Sequence, residues 1–349
     1  MLATVIHAAR DIRVEAVPDP LLSTGGDAIV RVVAACVCGS DLWPYRGITP
    51  TREPHRIGHE FVGVVEAIGD AVGLVQVGDF VIAPFYVCDN TCVNCRNGFS
   101  TSCLNGSWWG GDDRFGGFAD GGQGERVRVP LADGTLVVVP GPIADEEVPG
   151  LLALADVMGT GHHAAVSAGV TEGSTVAVVG DGAVGLCAII AAKRLGAAEI
   201  IAMSRHADRQ ELAREFGATH VVAERGAEGV AAVRELTGGI GADCVLECVG
   251  TKESMDQALR SARPGGQVGF VGVPNGGPEL PVRRMFDTNV GVRGGVAPVR
   301  GYIEELLPDV RSGAIRPGRV FDLELPLSEA SEAYAAMDER RAIKVLLRP

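Results

Sequence analysis

The chain has 349 residues, 46% of them hydrophobic and 21% charged, with a net charge of −13. That length exceeds what one core usually supports, so two domains are expected, and the composition excludes a disordered chain. The acidic balance excludes nucleic acid as the main partner, because phosphate binding needs clustered Lys and Arg.

In chain order, MLATVIHAARDIRVEAVPDP comes first and has neither a continuous apolar run nor a small-residue cleavage site. No segment reaches the roughly 18 apolar residues of a membrane span. The expectation is a cytoplasmic protein without a membrane partner, whose clustered thiols are metal ligands or redox groups rather than disulfides. The runs AIVRVVAACVC, EFVGVVEAIG, GDFVIAPFYV and GTLVVVP read as strands bounded by turn signals, so the first part is predicted to be β-rich. An Ala- and Leu-rich stretch beginning at PGPIADEEV then turns helical. From Ser174 onward, STVAVVG, EIIAMS, HVVAE, ADCVLECVG and GQVGFVGV alternate with helical segments. Near-continuous apolar strands in that alternation predict an α/β domain with a doubly wound parallel sheet covered on both faces. The tail AIKVLLRP is expected to rejoin the first domain. The resulting division is 1–154, 155–296 and 297–349.

VAVVGDGAVG sets Gly180, Gly182 and Gly185 in a G-x-G-x-x-G frame between a strand and a helix. The glycines allow the tight turn, the approach of a pyrophosphate and close helix–strand packing, while Ala183 and Val184 open the helix at its anion-favouring end. An NAD site usually carries an acid at the end of the next strand. Here Ser204, Arg205 and His206 stand there, with Arg209 one turn further on. A hydroxyl and a guanidinium suit a 2′-phosphate, so NADP(H) is the expected cofactor and NAD the lesser alternative.

Cys38, His59 and Asp156 are far apart in sequence but supply a thiolate, an imidazole and a carboxylate, a mixture zinc accepts. Three protein ligands leave a position for water or substrate, and Glu60 is a candidate exchangeable fourth. A second, local cluster is CDNTCVNCRNGFSTSC, in which Cys92, Cys95 and Cys103 form a C-x2-C-x7-C frame. Either Cys88 or Asp89 could complete it.

Together these pieces resemble the zinc-dependent medium-chain alcohol dehydrogenases along essentially the whole chain. The resemblance runs through CGSD, GHE, the cysteine lobe, GQGE at Gly122–Glu125, DVMGTGHHA and GDGAVG, in the family's order. It implies a GroES-like catalytic domain with an inserted Rossmann domain and an active site in the cleft between them. Cys38, His59 and Asp156 match the catalytic zinc positions, and Glu60 the glutamate beside them. Ser40 matches the hydroxyl that carries the alcohol proton away. Asp156 in place of a cysteine, and the Ser-Arg pair, are similar to the bacterial NADP-dependent secondary-alcohol branch. In such enzymes zinc acts as a Lewis acid on the substrate oxygen while hydride passes to or from the nicotinamide.

The family frame also bears on the lobe, whose four places fall on Asp89, Cys92, Cys95 and Cys103, a structural zinc set with Cys88 as the alternative to Asp89. One departure is Trp43, which stands where well-studied members carry a relay histidine. Trp43, Trp108 and Trp109 are candidates for the substrate-pocket wall, and His162 and His163 match positional helix residues beside the nicotinamide. The implied partners are a small alcohol, aldehyde or ketone and further copies of the chain, as a homodimer or homotetramer. Rival readings are an NAD-dependent polyol or amino-alcohol dehydrogenase, a zinc-independent reductase and a non-catalytic nucleotide-binding relative.

Overall fold

The structure, a computed structural model, describes residues 1–112, 118–274 and 279–349. The chain forms two compact units, one of Met1–Asp156 with Pro298–Pro349 and the other of Val157–Ala297.

The first unit is built on a seven-stranded sheet. Its order is Val137–Val139, Phe80–Ala83, Phe61–Ile68, Ala28–Cys36, Lys344–Arg348, Phe321–Pro326, with Arg126–Val129 also paired to Ala28–Cys36. Position decides pattern. Ala28–Cys36 is central and buried along most of its length, whereas the edge strand Phe321–Pro326 alternates half-buried with exposed residues. Phe61, Val81, Val127 and Trp109 pack in one cluster. Ile6, Val37 and Val345 pack in another, against Tyr334 of helix Ala330–Asp338. The register sets Ala35 opposite both Phe61 and Leu347. The chain just beyond Cys36, the chain just before Phe61 and the start of Lys344–Arg348 therefore converge.

The second unit holds a six-stranded sheet in which every pairing is parallel. The order is His220–Val222, Glu199–Met203, Thr175–Val179, Ala242–Glu247, Ala262–Phe270, Gly291–Gly294. The strand order reverses between Thr175–Val179 and Ala242–Glu247, a switch point of the Rossmann type where loops part and ligands bind. Thr175–Val179 is buried over its last four residues, as a strand covered on both faces must be. Helices Val157–Ser167, Ala183–Arg194, Gly226–Leu236 and Lys252–Ser261 cover the sheet. This is the α/β class the sequence implies. Among the described residues no helix is long and apolar enough to cross a membrane.

Candidate active site

The convergence of strand ends in the first unit assembles one mixed cluster. One ligand atom each of Cys38, His59, Glu60 and Asp156 lies within 4.8 Å of the others. The Cys38 thiol donates to Asp156 Oδ2 at 3.7 Å, and His59 Nε2 stands 3.9 Å from both carboxylates. Ser40 Oγ donates to Cys38 Sγ at 3.3 Å and lies 3.5 Å from His59 Nε2. Burial, and next the Glu60 carboxylate, push the Cys38 thiol up. Two carboxylates and a thiol this close in a poorly hydrated place favour a compensating cation, so the donor set fits zinc.

Residues not singled out by sequence hold this cluster. Asp41 Oδ1 is 3.1 Å from His59 Nδ1, which fixes the ring and leaves Nε2 facing the other ligands. Burial opposes charge on His59, but the Asp41 carboxylate and the Cys38 sulfur together outweigh it and raise the imidazole well above its ordinary range. Asp41 Oδ2 also accepts from the Cys38 N–H at 3.0 Å and from Gln123 Nε2 at 3.4 Å. Gln123 in turn donates to Cys36 O and accepts from the Tyr334 hydroxyl at 3.1 Å. Gly58 is at φ +98, and a Cβ there would stand 2.4 Å from Gln123 Cγ, so the chain passes Gln123 only as glycine. Behind the cluster, Lys344 Nζ donates to Glu60 Oε1 at 2.7 Å and to Val37 O at 3.3 Å. Cys36 Sγ donates to Glu60 Oε2 at 3.3 Å. Glu60, Cys36 and Lys344 are all essentially inaccessible to solvent.

The local cluster is Asp89, Cys92, Cys95 and Cys103. Cys88, the alternative, points elsewhere: its buried Sγ approaches Gly134 O at 3.5 Å, and burial pushes the thiol up to about 12. Backbone N–H groups of Asp89, Leu104 and Asn105 donate to Cys103 or Cys92 sulfur at 3.3 to 3.5 Å. Such donors favour thiolate: the Leu104 N–H, and next the Cys95 N–H, hold Cys92 low, while at Cys103 burial outweighs the Asp89 and Asn105 N–H groups and pushes the thiol up. Asp89 Oδ1 accepts from the Thr91 and Cys92 N–H groups, and Oδ2 from Asn105 Nδ2. Three thiols and one carboxylate suit a closed tetrahedral zinc set.

In the second unit, helix Ala183–Arg194 opens at Gly182 without a side-chain cap, so the N–H groups of its first turn are left for a ligand. A Cβ on Gly185 would lie 2.0 Å from Gly180 O, whereas one on Gly182 would meet nothing. The first glycine is required by packing and the second keeps the approach open, which fits a pyrophosphate. At the neighbouring strand end Ser204 is buried, Arg205 exposed and His206 half-buried. Asp181, inside the glycine loop, is the residue sequence reading missed. It accepts from Ser204 Oγ at 2.9 Å and from the Arg205 N–H at 3.3 Å, and Arg209 is 3.5 Å away.

The three tryptophans separate. Trp109 is buried, packs edge-on to Phe61 at 5.1 Å and donates Nε1–H to Pro84 O, so it belongs to the core rather than to a pocket wall. Trp108 is 52% exposed and stacks on Phe85, whose ring is in turn edge-on to His59. Trp43 is half-buried in the turn of helix Leu42–Tyr45. His162 and His163 lie on Val157–Ser167, outside both ligand clusters.

A β-rich domain with a mixed Cys/His/carboxylate cluster, joined to a Rossmann domain with an open glycine loop, defines the class of two-domain zinc oxidoreductases. Residues 24–142 match the family model described as alcohol dehydrogenase GroES-like domain, and residues 183–311 that of zinc-binding dehydrogenase. Zinc-type alcohol dehydrogenase B of Aspergillus flavus is 34% identical, with 100% of this chain and 81% of that protein covered. An alcohol dehydrogenase of Cupriavidus necator is 32% identical over 97% and 96%. The solved alcohol dehydrogenase TADH from Thermus sp. ATN1 superposes with TM-score 0.91 at 36% identity, covering 100% of this chain and 99% of that one. The chain belongs to the zinc-dependent medium-chain alcohol dehydrogenase family. Zinc and a nicotinamide dinucleotide are the cofactors that membership carries.

Proposed function

We propose that the protein interconverts a small alcohol and its aldehyde or ketone, with NADP(H) as hydride carrier and zinc as Lewis acid. The observation that carries this reading is the meeting of Cys38, His59, Glu60 and Asp156 ligand atoms within 4.8 Å. Cys38, His59 and Asp156 would hold the catalytic ion, leaving a position for the substrate oxygen, while Lys344 holds Glu60 back as an exchangeable fourth ligand. When bound, zinc supplies polarisation of the substrate oxygen, and the nicotinamide accepts or returns the hydride.

The chain's own residues do the rest. Asp41 keeps the His59 ring oriented and its Nε2 free. Ser40, with its hydroxyl against Cys38 Sγ, takes the alcohol proton at Oγ. With Trp43 at the relay position, that proton passes from Ser40 to water. Trp43 and Trp108 line the substrate side. Asp89, Cys92, Cys95 and Cys103 would hold a second ion that braces the lobe and has no vacancy for substrate.

Met1–Asp156 with Pro298–Pro349 would act as the catalytic domain, and Val157–Ala297 as the dinucleotide domain, so the boundary falls two residues later than the expected 154/155 and keeps Asp156 with the other ligands. There Gly180, Gly182, Ala183, Val184 and Gly185 receive the pyrophosphate, and Ser204, Arg205, His206 and Arg209 the 2′-phosphate. Further copies of the chain would assemble as a homodimer or homotetramer. The carboxylate of Asp181 against Ser204 favours a second reading, in which NAD(H) is used. A panel of primary and secondary alcohols and carbonyl compounds, assayed with both cofactors alongside a zinc count, tests the function. Two zinc ions per chain and turnover that depends on Cys38 are expected; zinc-free protein with full turnover would sink the mechanism.

A further inference from the structure

We propose that Asp181 is the specificity-determining residue of the cofactor site, an internal anion that competes with a 2′-phosphate for the donors of Ser204, Arg205 and Arg209. The inference rests on the reading of that strand end as the seat of the adenosine ribose.

The donors there are a hydroxyl, a backbone N–H and a guanidinium, the groups a phosphate monoester would recruit. Each already has the same acceptor. Asp181 Oδ2 takes the Ser204 hydroxyl at 2.9 Å and the Arg205 N–H at 3.3 Å. Arg209 lies 3.5 Å from Oδ1 and donates to the Asp181 carbonyl oxygen at 3.3 Å. Ser204 is 2% exposed, and the Asp181 and Arg209 side chains 11% and 12%, so water screens this cluster poorly. Burial opposes ionisation of Asp181, but the Ser204 hydroxyl and Arg209 hold the carboxyl below its ordinary range.

The charge therefore persists wherever a dinucleotide would bind. A 2′-phosphate carries about −1.5 to −2 at neutral pH by analogy with other phosphate monoesters, and must displace this carboxylate or lie against it. A ribose 2′-hydroxyl faces no such conflict, because it can donate to Oδ1, whose contact with Arg209 is long. Arg205 remains exposed and able to meet a phosphate, so the site balances one free arginine against one built-in anion. The acid arrives from the glycine loop, not from the end of strand Glu199–Met203, where an NAD-type acid is usually sought.

The test is calorimetric titration of zinc-loaded, full-length protein with adenosine 2′,5′-bisphosphate and with 5′-AMP. The two fragments differ only in the 2′-phosphate and need no turnover. Asp181→Asn keeps the side-chain shape and removes the charge. It is expected to tighten the bisphosphate about tenfold, as removal of a poorly screened like charge should, while AMP changes by less than about threefold. Asp181→Ser is expected to move the ratio in the same direction, which guards against a local fault peculiar to Asn. Equal changes for both fragments, or weaker bisphosphate binding in both variants, would overturn the proposal. Arg205→Ala separates it from the underlying reading. Loss of bisphosphate binding in that variant alone, with no gain in Asp181→Asn, leaves the NADP site standing and removes Asp181 from it. A gain in Asp181→Asn with no effect of Arg205→Ala keeps the Asp181 assignment and removes Arg205 from the phosphate site.

Discussion

The two thiol clusters of the first unit are built in opposite ways. Asp89, Cys92, Cys95 and Cys103 come from one short stretch and are held by neighbouring backbone, chiefly N–H groups aimed at sulfur. Cys38, His59 and Asp156 come from three distant segments and are held by buried side chains, Asp41, Gln123, Tyr334 and Lys344. A locally built site can brace a loop but encloses little. A site built across a sheet inherits the precision of strand register and can leave one face open for a reactant. On the proposed function, the difference teaches that sulfur density goes with the brace and dispersal with the chemistry.

Substituting one thiol in each cluster breaks the comparison most sharply. Cys38→Ser is expected to lower kcat by about a thousandfold or more while shifting the unfolding midpoint little, since a transition-state interaction is lost. Cys95→Ser is expected to do the reverse, lowering the midpoint by several degrees with near-normal turnover per folded molecule. Parallel measurement of kcat and thermal unfolding decides; equal loss of turnover in both variants would erase the distinction.

Next in size is Lys344→Met. It leaves Glu60 buried without its cation, so a destabilisation of about 3–5 kcal/mol is expected in denaturant unfolding. Adding Glu60→Gln should restore part of it, and a double variant no better than the single one would show that the pair is not coupled. Asp41→Asn is smaller. It keeps the side-chain shape but turns an amide N–H group towards donors on one side, either His59 Nδ1–H or the Cys38 and Gln123 N–H groups, with zinc affinity or kcat expected to fall about 10–100-fold. Unchanged zinc retention and turnover would demote Asp41 to packing.

The smallest effect lies outside both clusters. Burial, and next the Arg293 guanidinium, hold His163 down at about 4, below the ordinary imidazole value of 6.5. The unfolded chain thus binds a proton near pH 6.5 that the folded chain takes up only near 4. The associated stability is full above about pH 6.5 and is lost as pH falls from there towards 4. His163→Gln should flatten the unfolding midpoint across that window, and an unchanged slope would assign the acid loss to other groups.

Much of this was legible in the residues. Cys38, His59 and Asp156 announce themselves because their chemical types are costly to place together without purpose. The parallel sheet follows from uniformly apolar strands such as Thr175–Val179. What escaped was direction and distance. Neighbours Cys88 and Asp89 differ only in where their side chains point, and that is decided by packing against Gly134 and Thr135. Asp41 stood inside the CGSD string, yet its role runs through a ring nitrogen that only geometry reveals. Trp109 looks like a pocket wall until its N–H is found on Pro84 O. Lys344 is 284 positions from Glu60, and nothing in AIKVLLRP distinguishes it from a solvated strand lysine.

That last pairing has a consequence for how the protein is made. Translation delivers Glu60 long before residue 344, so the emerging polypeptide carries an acid destined for a dry interior with its counter-charge still unsynthesised. Because β-strand Lys344–Arg348 pairs directly with Ala28–Cys36 and carries the edge strand Phe321–Pro326 beyond it, the sheet of the first unit keeps the Cys36 end of Ala28–Cys36 as an open edge until that strand arrives. The inserted dinucleotide domain, made of contiguous chain, is free to fold during the wait.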